Sequence, residues 1–236
     1  MKVSESRIAR GYKGRFMAAV CIATVMAMST IGGALQAQST TAPPVAATLV
    51  PTVAPALGLV RVSLQTSVGT IILDLDKAHA PITTANFLKY VDQKRLNGTT
   101  FYRAMQMAGG TSGLIQGGAS GARDRILPPI AHEPTSQTGL SNRDGVITMA
   151  RNAPGTADAD FFICIGDMSG LDARPGLAGD NLGYAAFGHV VEGMDVVKQI
   201  FAAPISPTKG VGFMKGQMIA APIKIISATR VKLTAK

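Results

Sequence analysis

The stretch "LVRVSLQTSVGTIILDLD", residues 59–76, alternates apolar and polar side chains and is interrupted once, from Ser67 to Gly69. Alternation with a period of two is typical of strands that bury one face, and a glycine-containing interruption is typical of a turn. The folded part of the chain is therefore predicted to begin near Leu59 with two paired strands.

The next segment, "APITTANFLKYVDQKRL" at residues 80–96, changes to a helical period. Pro81 suits the first turn of a helix, and the pair Asn97-Gly98 forms a turn signal that ends it. The apolar residues that fall on or near one helical stripe are Ile82, Phe87, Leu88 and Val91.

The rest of the chain contains short strand candidates separated by loops, and a second short helix fits "GMDVVKQIFA" at residues 193–202. Many short strands with only two helices predict a mainly β fold: a closed or nearly closed antiparallel barrel with helices covering its ends. Two long glycine-rich loops, Met105–Gly113 and Ala173–Gly183, are places where function is expected to reside. The strand candidates are Thr100–Arg103, Leu114–Gly117, Gly145–Met149, Phe161–Ile165, Ala185–Val191 and residues 222–233.

Residues 1–37 have the pattern of a bacterial-type secretory signal peptide. Five basic residues and one acidic residue lie in the first fifteen positions, and an apolar run that ends in small residues follows. Cleavage is expected after Ala37 or after Ala34, with export to the periplasm. The strongest apolar part, Phe16 to Ile31, has 16 residues, whereas a membrane span prefers roughly 20. This length favours a cleaved signal peptide, and an inner-membrane anchor facing the periplasm is the alternative.

Residues 38–57, rich in alanine, proline and threonine, predict an extended linker ahead of a domain at residues 58–236.

The whole chain has 23 basic and 14 acidic residues, a formal charge of +9. Removing residues 1–37 leaves 18 and 13, a net charge of +5. Because no basic stripe interleaves with aromatic residues, nucleic acid is not an expected partner. No stable membrane insertion is expected after signal removal, and a monomer is expected.

Arg103 is isolated within "GTTFYRAMQMAGGTSGLIQGGA", residues 98–119, which is otherwise aromatic, apolar, glycine-rich or uncharged polar. An arginine among apolar residues is costly to bury unless a partner compensates its charge. Two explanations follow: a structural pair with a distant carboxylate such as Glu133, or a partner that arrives with the substrate.

Five motifs in one order resemble the cyclophilin-type peptidyl-prolyl cis/trans isomerases. They are "APITTANFLKYV", "FYR", "IQGG", "GVITMARNAPGTADADFFIC" and "YAAFGHVVEGMDVV", and the resemblance extends from Leu59 to Val231. It implies a closed eight-stranded antiparallel barrel capped by two α-helices, with a groove on one outer face that grips an X-Pro peptide. Proline-containing polypeptides, such as unfolded exported proteins, are then the expected partners, and no cofactor is expected.

The resemblance also implies roles for individual residues. Arg103 matches the catalytic arginine, and Gln116 matches the glutamine that holds the substrate. Tyr184 occupies a position where many members have histidine. The remaining implied substrate contacts are Phe101, Leu114, Ala150, Arg151, Phe162 and Leu171.

The chemistry of an X-Pro bond fits an arginine in an apolar groove. Its rotation barrier is about 18–20 kcal/mol because the nitrogen lone pair is delocalised into the carbonyl. Rotation requires no nucleophile or metal, only stabilisation of the twisted amide, whose nitrogen becomes a hydrogen-bond acceptor. A charged guanidinium favours the twisted state over the planar one, which is the condition for catalysis.

Two features depart from the family pattern. Arg103 and Gln116 are 13 positions apart, a longer separation than is typical, and Gly113 stands where a pocket phenylalanine is usual. Met105 or Met107 is expected to fill that gap, since methionine adapts to irregular spaces. The longer loop keeps open an alternative function, a catalytically weak proline-peptide-binding module or chaperone.

Other reactive residues are interpreted as structural. Cys164 in "FFICIG" is expected to be a small core residue, and "AHEPT", with His132 and Glu133, lacks the spacing of a zinc motif. No metal site is therefore expected. The pair Gly117-Gly118 is attributed to close packing of the barrel rather than to phosphate binding.

Overall fold

The computed structural model describes residues 58–119 and 122–232. The predicted signal peptide and linker lie outside the described residues. Eight strands and three α-helices form within this part of the chain. The strands are β1 (Leu59–Thr66), β2 (Gly69–Asp76), β3 (Thr100–Gln106), β4 (Gly113–Gly118), β5 (Val146–Met149), β6 (Phe161–Ile165), β7 (Ala186–Glu192) and β8 (Met218–Val231). The helices are α1 (Pro81–Asp92), α2 (Thr135–Thr138) and α3 (Met194–Phe201).

The strands form one closed antiparallel barrel in the order β1-β2-β7-β5-β6-β4-β3-β8, which confirms the predicted fold class. β8 closes the barrel by pairing with β1 on one side and β3 on the other. Closure removes the unpaired strand edges that an open sheet would expose.

The core fills the barrel and the space under its helices. Leu64, Leu73 and Ile147 are fully buried inside it. The ring of Phe161 lies edge-on to Phe87 of α1, with centroids 5.2 Å apart, and edge-on to Phe101 of β3 at 5.7 Å. Edge-to-face contacts of this kind are favourable because the ring edges and faces carry opposite partial charges.

The helices correct the sequence prediction in two details. α1 and α3 occupy the predicted positions, but α2 adds a third helix of one turn. Ile82 does not join the buried stripe of α1, since 43% of its surface is exposed. Within residues 58–119 and 122–232, no helix combines the length and the apolar character that a membrane span requires.

The first turn of α1 is capped from a distant loop. The buried Glu133 carboxylate accepts hydrogen bonds from the backbone N–H groups of Ile82 (3.0 Å) and Thr83 (2.7 Å) and from the Thr83 hydroxyl (2.6 Å). A helix N-terminus presents unpaired N–H groups and a partial positive charge, both of which favour a carboxylate. Glu133 is therefore committed to α1 and is not the partner of Arg103.

A bulge in β3 sets the direction of the side chains that follow it. Phe101 pairs with Gly117 and Arg103 pairs with Gln116, so β3 has one residue more than β4 across this interval. Phe101 and Ala104 both point into the core. Because of the extra residue, Tyr102 and Arg103 both lie on the outer face, whereas strict alternation would send Arg103 inwards with Phe101.

Candidate active site

A cavity of about 740 Å³ opens on the outer face of the barrel. Strands β3, β4 and β6 form its floor, and the loops at Ala150–Asp160 and before β8 form its walls. The lining residues are Thr100, Tyr102, Arg103, Met105, Leu114, Gln116, Ala150, Arg151, Asn152, Thr156, Asp158, Asp160, Phe162, Leu171, Tyr184, Phe213, Met214 and Met218.

One side of this cavity is an apolar slot. Leu114 and Phe162 belong to a small hydrophobic cluster separate from the barrel core, and Leu171 and Ala150 pack against it. The Tyr184 ring stands edge-on to Phe162, with centroids 5.5 Å apart. Phe161 and Phe162 face opposite ways, since Phe161 lies in the barrel core.

Met105 of β3 packs against the slot cluster and lines the cavity, whereas Gly113 does not line it. A Cβ atom at Gly113 would lie 2.0 Å from the carbonyl oxygen of Met105, too close for any side chain. Met107, the other candidate for this gap, is 49% exposed and does not line the cavity. The Cβ at Gly113 would also lie 2.9 Å from the ring of Phe201, a residue of the core. The gap expected at Gly113 therefore does not open into the slot, and Met105 lines the slot without filling that gap.

Arg103 lies on the polar side, held by two amides. Its Nη1 donates to Oε1 of Gln116 at 2.7 Å. Its Nε and Nη2 both donate to Oε1 of Gln217, at 2.9 and 2.6 Å. Arg103 and Gln116 are paired residues of the antiparallel β3–β4 hairpin. The 13-residue separation therefore leaves them facing each other, because the extra residues lie in the loop at 107–112.

The amide of Gln116 is itself held in place. Its Nε2 donates to the hydroxyl of Tyr102 at 2.8 Å, and that hydroxyl donates to Oδ2 of Asp160, also at 2.8 Å. Gln116 is buried. These hydrogen bonds fix the orientation of the Gln116 amide. Arginine can only donate, so the amide oxygen must face Arg103 and the amide nitrogen must face Tyr102.

The charge of Arg103 is not neutralised by the protein. No Asp or Glu within the described parts of the chain forms an ion pair with it, so the predicted alternative of a structural carboxylate partner is not observed. Burial lowers the pKa of its guanidinium from the ordinary value, while Tyr102 and Tyr184 oppose the shift. The ring of Phe213 covers one face, 5.5 Å from Cζ to the ring centroid.

Arg151 lines the cavity but its guanidinium is occupied. It forms a two-pronged ion pair with Asp180, at 2.6 and 2.9 Å, and its Nε donates to the carbonyl of Gly183 at 2.9 Å. Its Cζ lies 5.1 Å from the centroid of the Tyr184 ring. Arg151 thus ties the loop at 173–183 to the rim of the slot and supports Tyr184.

Phe101 requires a correction. It was expected to contact substrate, but it is fully buried in the barrel core and does not line the cavity. The reason is strand parity: Phe101 precedes the bulge and points inwards, whereas Tyr102 points outwards. The aromatic residue of "FYR" that reaches the cavity is Tyr102.

The other reactive residues are structural in this fold. Cys164 is fully buried on β6, and burial raises the pKa of its thiol to about 12. His132 contacts the carbonyl oxygen of Leu182 at 3.0 Å. A Cβ on Gly117 would lie 2.9 Å from the Phe101 ring and one on Gly118 would lie 2.4 Å from Asp160. This crowding accounts for the glycine pair by close packing.

Sequence reasoning missed several residues of the site. Gln217, Phe213 and Met218 come from the loop before β8 and from its first residue, a region with no motif or periodicity to mark it. Tyr102 and Asp160 were missed as partners of Gln116. Arg103 offered a signal for them, since an arginine with no acid nearby in sequence requires polar partners from elsewhere.

Comparison with known proteins supports the family resemblance. The family model described as cyclophilin type peptidyl-prolyl cis-trans isomerase/CLD matches residues 61–230. A solved structure of a cyclophilin type peptidyl-prolyl cis-trans isomerase from Cryptosporidium parvum has a TM-score of 0.58 at 19% identity. It covers 75% of this chain and 99% of that one, which supports the fold.

Curated relatives carry the same family name. A peptidyl-prolyl cis-trans isomerase of Acinetobacter baylyi is 36% identical over 176 residues, 73% of this chain and 86% of the relative. One from Streptomyces antibioticus is 37% identical over 153 residues, 63% of this chain and 87% of the relative. Peptidyl-prolyl cis-trans isomerase B of Escherichia coli is 36% identical over 146 residues, 59% of this chain and 82% of the relative. The chain belongs to the cyclophilin-type peptidyl-prolyl cis-trans isomerase family.

Proposed function

We propose that the cavity around Arg103 catalyses cis–trans isomerisation of X-Pro bonds, and that its substrates are exported polypeptides which it helps to fold. One observation carries the proposal: a guanidinium held by neutral amides faces a cavity with an open apolar slot. The charge remains available for a substrate, and the slot has the chemistry to hold a proline ring.

In the proposed mechanism, the proline ring occupies the slot formed by Leu114, Phe162 and Leu171. Holding the ring fixed lets the preceding carbonyl rotate about the C–N bond. As the amide twists, its lone pair returns to nitrogen, and an N–H of Arg103 donates to it. The interaction exists only in the twisted state, so it lowers the barrier rather than merely tightening binding.

Arg103→Ala tests this role directly. We expect the fold to be retained and kcat/KM on an X-Pro peptide to fall by about 10²- to 10³-fold, the range for loss of one charge-stabilising donor. Arg143→Ala, at an exposed arginine that does not line the cavity, is the control and should retain full activity. A protease-coupled or refolding assay measures turnover, and calorimetric binding of the same peptide measures affinity.

The same assay separates the enzyme from a binding module. A wild-type protein that binds the peptide without accelerating its isomerisation would select the alternative function. Unchanged turnover in Arg103→Ala would remove the guanidinium from the mechanism.

The export part of the proposal rests on residues 1–37. The basic start and the apolar run that follows are typical of a cleaved secretory signal, and we propose a monomer located in the periplasm. Mass spectrometry of the native protein after cell fractionation should find a periplasmic chain that begins at Gln38 or Leu35. An uncleaved chain in the membrane fraction would select the anchored alternative, and an uncleaved cytoplasmic chain would contradict export.

A further inference from the structure

Gln217 lies beside Arg103 although 114 positions separate the two residues along the chain. It is the last residue before β8, and its carbonyl oxygen accepts a 2.9 Å hydrogen bond from the backbone N–H of Ala104. Arg103 in turn pairs with Met218, the first residue of β8. The backbone of Gln217 is thus fixed against β3 at the position from which its side chain reaches the guanidinium.

Both ends of the Gln217 amide are used. Oε1 accepts the two hydrogen bonds from Arg103, and Nε2 donates to the backbone carbonyl of Phe213 at 2.9 Å. Reversing the amide would place two donors against Arg103 and an oxygen against the carbonyl of Phe213. The network therefore admits one orientation of the amide.

A count of donors shows what these contacts leave for a substrate. A guanidinium has five N–H groups. Gln217 takes the one on Nε and one on Nη2, and Gln116 takes one on Nη1. One N–H on each Nη has no acceptor among the described residues, and Arg103 lines the cavity. The two glutamines therefore hold the group while two of its five N–H groups stay available to a bound molecule.

Because the Gln217 amide is uncharged, it holds Arg103 without neutralising its positive charge. A carboxylate of the same length would make a two-pronged ion pair with Nε and Nη2, a strong geometry for arginine. That ion pair would hold the guanidinium as well as the amide does, but it would cancel much of the charge that stabilises a twisted amide.

We propose that Gln217 is a positioning residue for Arg103, and that the reaction requires an uncharged amide at this position. The inference rests on the proposed isomerase activity and assigns Gln217 no contact with the substrate. Positioning and charge can be separated by substitution. Alanine removes all the side-chain hydrogen bonds of Gln217, whereas glutamate retains the two from Arg103, loses the one to the Phe213 carbonyl and adds a negative charge.

The test compares Gln217→Ala and Gln217→Glu with the wild-type protein. We expect each to lower kcat by about 10- to 100-fold, the scale of loss when a catalytic group is misplaced by about an ångström. Peptide affinity should change less than twofold, because the apolar slot is untouched. Gln106→Ala is the matched control, since its amide also donates to a backbone carbonyl, that of Phe201, outside the cavity, and it should behave as wild type.

Gln217→Glu decides between positioning and a purely structural role. Both variants lose the bond to the Phe213 carbonyl, so Gln217→Glu should unfold no earlier than Gln217→Ala and still lose activity. If Gln217→Glu is as active as the wild type, the requirement for a neutral amide is wrong; if Gln217→Ala is fully active, the positioning role is wrong.

A second readout is independent of turnover. In nitrogen-15 NMR spectra, the Arg103 Nε–H of the wild-type protein should exchange with solvent at least tenfold more slowly than that of the exposed Arg143, and Gln217→Ala should abolish this protection. Fast exchange in the wild type would overturn the inference even in an active enzyme. Slow exchange in an inactive wild type would instead contradict the proposed function and leave the positioning of Arg103 supported.

Discussion

Arg103 shows how a partly buried charge is kept available for a substrate. Removing a guanidinium from water is unfavourable, and here the cost is offset by amide oxygens and an aromatic face rather than by a carboxylate. Burial lowers its pKa, but an arginine begins so far above neutrality that it stays charged in proteins. A fixed charge in a site of reduced polarity is worth more than the same charge in water.

The charge state of Arg103 predicts a flat pH profile for isomerisation. Lowering the pKa favours the neutral form, so any loss of activity from this cause would occur as pH rises, and only far above the assay range. We expect kcat/KM to vary less than twofold between pH 6 and pH 8.5 in an uncoupled assay. A clear inflection in that range would indicate a titrating group and would contradict a mechanism without proton transfer.

At the scale of elements, the β3–β4 hairpin builds the site from two local features. The bulge turns Arg103 to the outer face, and the register of the hairpin sets Gln116 opposite it. Because both are properties of backbone pairing, the six residues at 107–112 extend the loop without separating the pair. A longer connection in a surface loop also costs little free energy, because the entropy of loop closure grows only slowly with loop length.

The contacts of Glu133 with the first turn of α1 predict how much this cap contributes to the stability of the fold. Glu133→Ala removes three hydrogen bonds and leaves buried N–H groups unpaired, so we expect a loss of about 2–4 kcal/mol in the free energy of unfolding. Glu133→Gln retains an acceptor oxygen and should lose less. Urea denaturation measures both changes.

Glu192, exposed at the end of β7, provides the control for this experiment. Glu192→Ala should change the free energy of unfolding by less than about 0.5 kcal/mol, as is usual for surface positions. Equal losses in Glu133→Ala and Glu192→Ala would show that the contacts with α1 do not stabilise the fold.

For the whole molecule, closure of the barrel places both the substrate cavity and the Cys164 side chain on the outer side of the barrel wall. The barrel interior is filled by side chains, so the substrate cavity forms on the outer face. Cys164 lies on the central strand β6, between β4 and β5, with no exposed surface. Its side chain belongs to the outer-face cluster with Leu114, Phe162 and Met168 that underlies the slot.

Cys164 should therefore report whether the packing beneath the slot stays closed. Because burial raises the pKa of its thiol to about 12, nearly all of it is protonated at pH 8, and the thiol is also shielded from reagent. We expect iodoacetamide to leave Cys164 unmodified in native buffer and to modify it fully in denaturing urea. Peptide mapping distinguishes it from Cys21. Modification in native buffer at the rate of a free thiol would contradict the buried position.

Much of the barrel was predictable because its signals are local. Alternation marked β1 and β2 to within a residue or two, β6 was placed as a short strand candidate at its observed bounds, and the helical period marked α1 and α3. The bounds of β3 and β8 were less accurate, since β3 continues to Gln106 and β8 begins at Met218. Their extra residues pair with neighbouring strands, a contact that local composition does not encode.

The candidate site also has one part that local motifs identified and one part that depends on strand pairing. The motifs identified Arg103, Gln116 and the apolar residues that line one cavity, but they also included Phe101, which the strand parity buries. The bulge after Phe101 was not predictable, because one extra residue leaves no trace in the order of apolar and polar side chains.

The sequence by itself determined the barrel, the position of an arginine without a local acid, and the apolar residues near it, because periodicity and motif order are carried by neighbours along the chain. Only the tertiary structure decided which partners hold that arginine. Gln217 reaches it across 114 positions of sequence, through the pairing of β3 with β8 that closes the barrel, and a contact made by closure cannot be read from either strand alone.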